Sequence, residues 1–220
     1  MAADQTPLPV YLESGSRRVF ACAIDWPGWS RSGKDESTAL DALAASAGRY
    51  AVVAKRAKLA FPAAAPTAFE IVEEVPGSAT TDFGAPGSVP DVDRESMTAP
   101  QARRIAGLLA AAWWTFERAV AQAPQSLRKG PRGGGRDRDA MVEHVHNAEA
   151  EYARKLGIPA GQRKIVSGAD VPAMRAAITA MVLGSESGAG DSAGNWPPRY
   201  AVRRIAWHVL DHAWEIEDRG

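Results

Sequence analysis

The stretch IAWHVLDHAWEI, residues 205–216, has the pattern of an amphipathic helix that carries two histidines on its apolar face. One helical stripe is formed by Ile205, His208, Val209, His212 and Ile216. Because both imidazoles share this stripe, we expect them to point toward the core. Residues four apart on a helix have Cβ atoms about 5–6 Å apart, a separation that lets both rings bind one divalent ion. Two ligands do not complete a site, so a third must come from another segment.

The third ligand is sought among the other histidines, since the chain has four in all. His144 shares a helical stripe with Met141, Val145, Ala148 and Tyr152. His146 lies about 200° further round the same helix. We therefore predict His144, His208 and His212 as metal ligands. Three imidazoles leave at least one coordination position open, which is typical of a catalytic site, and neutral imidazole suits Zn, Ni, Fe or Cu.

Length and composition limit the classes of protein to which this chain can belong. A chain of 220 residues is compatible with one large domain or two small ones, and its internal breaks favour two. Hydrophobic residues make up 45% and charged residues 24%, as in ordinary globular proteins. Lys plus Arg and Asp plus Glu both number 26, so no global field favours nucleic acid or an anionic membrane as a partner.

The expected compartment is the cytoplasm. The single cysteine, Cys22, has no second cysteine with which to form an internal disulfide, and the start MAADQ lacks the features of a signal peptide. No apolar run approaches the roughly 20 residues needed to span a bilayer. The sequence therefore predicts a protein without a membrane segment.

The first part of the chain, residues 1–76, predicts a small α+β module. Two strands, 10–13 and 19–24, are joined by a hairpin turn at residues 14–17, and a third strand is expected over 68–75. One helix is predicted between them, with Asp35 as its N-cap and its end near Leu59. Residues 77–97 are rich in Gly, Ser, Thr, Pro and Asp, a composition typical of an exposed linker.

Residues 98–220 predict an all-α, up-down four-helix bundle, which makes the whole chain α+β in class. Thr98 and Gln101 form a capping-box pattern at the start of the first helix. The second helix is expected over residues 139–156 and ends at Gly157. The third follows Asp170, and the fourth follows the proline pair 197–198.

The helical part resembles the DinB-like superfamily of metal-binding four-helix bundles. The resemblance rests on the segment HVHNAE, residues 144–149, and on the pair His208 and His212, and it covers about residues 98–220. It implies His144, His208 and His212 as ligands of one divalent ion, Zn, Ni or Fe. It also implies a metal-dependent transferase or hydrolase that acts on a small molecule, with a low-molecular-weight thiol as co-substrate.

The first module resembles the HicB-like antitoxin fold, a small sheet with one helix. The segment WPGW, residues 26–29, followed by Ala39 and Leu40, carries this likeness. We do not infer toxin neutralisation from it, and we expect a structural or lid module instead.

Several other polar residues lie near the predicted ligands in the sequence. Glu149, Glu151, Asp211 and Glu215 are candidates to orient an imidazole or to act as a general base. The basic stretch 128–138 has glycines ahead of a helix, an arrangement that can hold anions, but a solvated loop is the favoured interpretation.

Two classes of function remain open at this point. One is a metal-dependent enzyme. The other is a non-catalytic regulatory or protein-interaction module without bound metal, with a homodimer as one arrangement and the histidines as hydrogen-bonded core residues.

Overall fold

A computed structural model describes residues 7–62, 68–130, 134–159, 169–185 and 196–220. The chain divides into two compact units, Met1–Val92 and Asp93–Gly220. The described residues contain a four-stranded sheet and seven α-helices, so the predicted α+β class is confirmed. None of the described helices is both long enough and apolar enough to cross a bilayer.

The first unit is built on one sheet. Its strands are β1 (Leu8–Ser14), β2 (Val19–Ala23), β3 (Ser30–Gly33) and β4 (Phe69–Pro76), in the order β3-β2-β1-β4. β1 and β2 form the predicted antiparallel hairpin, and β4 runs parallel to β1. The sequence did not predict β3, because its residues, Ser-Arg-Ser-Gly, lack the alternation of apolar and polar side chains that marks a strand.

Two helices stand where one was expected. Helices α1 (Glu36–Ala45) and α2 (Ala47–Arg56) are separated at Ser46, while Asp35 caps α1 as predicted. The Ser46 hydroxyl donates to the Leu43 carbonyl at 2.8 Å and accepts from the Trp29 indole at 2.9 Å. A buried serine that bonds a backbone carbonyl competes with the helical ladder, which accounts for the break.

Residues 77–97, expected to be an exposed linker, contain regular structure. Helix α3 (Ala79–Phe83) and a 3₁₀ helix (Asp91–Asp93) lie in this segment, and the boundary between the two units falls after Val92. The buried Glu13 carboxylate accepts hydrogen bonds from Thr81 Oγ1 and from the amides of Gly87 and Ser88. The polar composition of the segment therefore reflects hydrogen bonding to a buried acid as well as exposure.

The second unit contains four long helices, as predicted. They are α4 (Ala99–Gln122), α5 (Arg138–Lys155), α6 (Val171–Gly184) and α7 (Pro198–Arg219). Thr98 and Gln101 form the expected capping box, and Gly157 follows α5 with a φ of 79°, in the left-handed region that glycine adopts easily. Fourteen of the 22 residues of α7 are buried, and they include His208, whereas His212 is partly exposed.

The helix directions differ from the simple alternation expected of an up-down bundle. Arg199 in the first turn of α7 donates to the Ser96 carbonyl just before α4, and Arg118 pairs with Glu217 near the ends of both helices. α4 and α7 therefore run parallel, whereas the first and fourth helices of a strict alternation are antiparallel. Short connections produce antiparallel neighbours, whereas the three connections between the four helices are 13 or 15 residues long.

Candidate metal centre

Three histidine rings converge between α5 and α7. His144 extends from α5, and His208 and His212 extend from successive turns of α7. One ring nitrogen from each side chain can be chosen so that all three lie within 4.8 Å of one another. The structure thus brings together the three residues that the sequence analysis selected.

The spacing of the nitrogens matches the requirements of a metal ion. The Nε2 atoms of His144 and His208 are 3.2 Å apart. Two imidazole nitrogens bound tetrahedrally at 2.0–2.1 Å from one zinc ion would be about 3.3–3.4 Å apart. The separation of these two nitrogens is therefore close to that expected for two ligands of one ion.

His212 is oriented by an acid on the same helix. Its Nδ1 lies 3.0 Å from Glu215 Oε2, and Glu215 Oε1 accepts from Arg219 Nη1 at 2.6 Å. The hydrogen bond to His212 is the largest of the influences that lower the pKa of Glu215, so the acid is a carboxylate at neutral pH. A carboxylate on Nδ1 favours the tautomer that leaves the Nε2 lone pair available, as in carboxylate–histidine–metal arrangements. Glu215 is one of the acids that the sequence offered as a candidate, and it contacts a predicted ligand.

Burial keeps two of the rings neutral. Burial lowers the pKa of His144 to about 4, with a smaller contribution from the charge of His212. Burial also holds the pKa of His208 well below its ordinary value of 6.5, and His212 and Arg204 act in the same direction. Neutral imidazole is the form that binds metals, so these two side chains lose no proton when they bind an ion at neutral pH.

Among the described residues, one polar atom of His208 has no partner. Its Nδ1 is buried and makes no hydrogen bond to the residues that the structure describes. His208 is therefore held by packing, chiefly edge-on contacts of its ring with those of His144, His212 and Tyr152 at 4.6–5.8 Å between centroids.

Aromatic and cationic side chains surround the cluster. The guanidinium of Arg204 lies over the rings of Tyr152 and Trp207, at 5.2 and 4.7 Å from their centroids. Tyr152 in turn stacks on Trp196 at 5.3 Å. Arg204 was not among the residues predicted for the site, although its position one turn before His208 was a usable signal.

Glu149 does not belong to the histidine cluster. Its carboxylate is fully buried and accepts two hydrogen bonds from Arg175, at 3.1 and 2.9 Å, and one from the Trp113 indole. Burial raises the pKa of Glu149, while Arg175 and Trp113 oppose that shift. This acid joins α5 to α4 and α6. Glu151 is exposed and pairs with Arg154 on its own helix.

His146 lies in a different part of the unit, as its angle on the helix predicted. It borders a cleft of about 380 Å³ between α4, α5 and α6, together with Phe116, Glu117, Val120, Val142 and Arg175. His144, His208 and His212 do not line this cleft.

The basic stretch 128–138 is attached to the end of α7. The Arg219 side chain donates to the Arg128 carbonyl at 2.7 Å, and Lys129 pairs with Asp137 at 3.3 Å. Residues 131–133 of this stretch lie outside the described residues. Arg136 is exposed, but its charge contributes to lowering the pKa of both His144 and His208.

Comparisons with known proteins identify no relative of this chain. No family model, no curated protein and no solved structure matches the chain. The function of the cluster must therefore be argued from its own chemistry.

Proposed function

We propose that the second unit binds one divalent metal ion, Zn, Ni or Fe, through His144, His208 and His212. The observation that carries the proposal is the convergence of three imidazoles from two helices, two of them with Nε2 atoms 3.2 Å apart. The contact between Glu215 and His212 supports it, because metal-binding histidines almost always donate their second ring N–H to an oxygen acceptor.

We further propose that the centre is catalytic, acting on a small molecule as a metal-dependent thiol transferase or hydrolase. A divalent ion with three histidine ligands lowers the pKa of a bound thiol or water and so supplies a nucleophile at neutral pH. In this role His144, His208 and His212 hold the ion, and Glu215 fixes the ring of His212. The resemblance to DinB-like bundles favours a low-molecular-weight thiol over water as the bound nucleophile.

A second function is supported by one specific observation. The separation of 3.2 Å between the Nε2 atoms of His144 and His208 also fits a hydrogen bond between two neutral imidazoles. In that case the cluster is part of a core, and the protein is a non-catalytic regulatory or interaction module, with a homodimer as one arrangement. Such a protein needs no metal.

Elemental analysis separates the two functions. The full chain is purified without an affinity tag and compared with a His208→Ala/His212→Ala variant and with His146→Ala, which removes a histidine outside the cluster. We expect about one ion per chain in the wild type and in His146→Ala, and almost none in the double variant. Equal metal content in the wild type and the double variant would reject the centre.

Catalysis is tested on the metal-loaded protein. Thiol consumption and hydrolysis are screened with and without a low-molecular-weight thiol, using His146→Ala and the double variant as matched comparisons. A turnover that requires the thiol and disappears in the double variant supports the transferase. Turnover that is equal in both variants excludes the centre as its source.

A further inference from the structure

Arg204 lies next to the histidine cluster on the same face of α7. It is four residues before His208, as His208 is four residues before His212, so the three side chains follow one another along the helix. The Tyr152 ring contacts both neighbours, with its centroid 5.2 Å from the Arg204 guanidinium carbon and 5.8 Å from the His208 ring. The Arg204 guanidinium and the histidine cluster therefore both lie against the Tyr152 ring.

Arg204 differs in its contacts from two buried arginines, Arg175 and Arg203. Arg175 bonds both oxygens of Glu149, and Arg203 bonds both oxygens of Asp93 at 2.8 Å. Arg204 is partly exposed and lies over two aromatic rings, and its Nη1 atom is buried with no hydrogen-bond partner among the described residues. A buried guanidinium N–H without an acceptor is costly, and an acceptor supplied by a bound molecule would remove that cost.

The charges around the cluster favour an anion as that acceptor. Arg204 and Arg136 both place positive charge near His208. The nearby acid, Glu215, is already engaged by His212 and Arg219. A divalent ion on the histidines would add to this positive field, and guanidinium groups match carboxylate and phosphate groups through paired hydrogen bonds.

We propose that Arg204 binds an oxyanion group, a carboxylate or a phosphate, of the small molecule that the histidine centre holds. This inference rests on the proposed metal centre and specifies its substrate class. Arg204 fixes one end of the substrate, while the reacting end faces the ion. The aromatic rings of Tyr152 and Trp207 hold the guanidinium in place between them.

The test uses the full chain loaded with Co²⁺, whose visible spectrum reports changes at the centre. Succinate and inorganic phosphate are titrated separately at constant ionic strength into the wild type, Arg204→Gln, Arg204→Lys and Arg103→Gln. The last variant removes an exposed arginine from α4 and serves as the matched control. Circular dichroism establishes that each variant is folded.

We expect at least one of the two anions to bind the wild type and Arg103→Gln equally, and to bind Arg204→Gln roughly tenfold or more weakly. Arg204→Lys is expected to bind with intermediate affinity, because it keeps the charge and loses the paired geometry. If Arg204→Gln does not fold, wild-type affinity in Arg204→Lys overturns the inference. Equal anion affinity in wild type and Arg204→Gln, with Co²⁺ bound to both, overturns the role of Arg204 but leaves the proposed metal centre standing. Failure of Co²⁺ to bind the wild type overturns the metal centre and the inference with it.

Discussion

Two polar clusters lie within the same four helices, and they differ in how completely their atoms are paired. In the first, Glu149 is enclosed by Arg175 and Trp113, and its oxygens accept three hydrogen bonds. In the second, His144, His208 and His212 direct nitrogens at one another, and His208 Nδ1 has no partner among the described residues. A cluster that satisfies itself joins helices, whereas one that gathers three imidazole nitrogens within 4.8 Å of one another is suited to binding a ligand.

The largest effect on stability is expected from breaking the hydrogen-bonded cluster of Glu149, Arg175 and Trp113. Glu149→Gln leaves the buried Arg175 charge without its main partner, so the free energy of unfolding should fall by about 3–5 kcal/mol. Urea unfolding measures this change. Glu151→Ala, which removes an exposed acid of the same helix, should change it by at most about 1 kcal/mol. Metal bound per folded molecule should stay the same in both variants; loss of metal in Glu149→Gln would show that the two clusters are coupled.

The second largest effect is the increase in the free energy of unfolding that metal binding is expected to produce. A ligand present at 100 times its Kd and bound only by the folded state raises the free energy of unfolding by about 2.7 kcal/mol. We expect thermal melts to show this stabilisation for the wild type with Zn²⁺ and to show none for His144→Ala. Stabilisation of His144→Ala equal to that of the wild type would mean that Zn²⁺ binds elsewhere.

A smaller effect is expected from the acid that orients His212. Glu215→Gln should weaken metal binding by about 10- to 100-fold, since the Nδ1 partner of a metal-bound histidine fixes its tautomer and orientation. Competition with a chromophoric chelator measures the affinity. Glu217→Gln is the matched control, because Glu217 is an exposed acid of the same helix that pairs with Arg118. Unchanged affinity in Glu215→Gln would remove this acid from the site.

The smallest effect is a dependence of stability on pH in the metal-free protein. The pKa of His208 is lowered by burial, so the folded state binds fewer protons than the unfolded state below pH 6.5. The contribution of His208 to stability is therefore complete above its unfolded pKa and decreases as the pH falls below it. Between pH 7 and 5.5 the loss should be about 1 kcal/mol for this residue. Urea unfolding should show a smaller loss in His208→Gln, and an equal loss would contradict a neutral, buried ring.

The sequence predicted the helical unit better than the first unit for a physical reason. Helix periodicity and capping are local, so Thr98, Gln101 and Gly157 marked the ends of α4 and α5 in advance. Strand β3 depends on pairing with β2, and the break at Ser46 depends on the Trp29 indole, so both rest on contacts between separate segments of the chain. Local patterns do not contain that information.

Within the site, the histidines were predictable and their surroundings were not. A stripe that includes His208 and His212 specifies the direction of both rings from helix geometry alone. The separation of Glu149 from the cluster and the choice of Glu215 as the partner of His212 depend on how α5 and α7 pack. The spacing of Arg204 from His208 indicates that the two side chains share a helix face. The sequence does not indicate that Arg204 Nη1 is buried without a partner among the described residues, because this depends on the tertiary contacts.

The sequence by itself determined the class of the fold, the four long helices and the three histidines that face inward, because helix formation and amphipathicity act over a few residues. The tertiary structure decided that α4 and α7 run parallel, that residues 77–97 contain two short helices, and that the two polar clusters are separate. These features depend on which buried groups find partners across the unit, and such pairing is settled only when distant segments pack together.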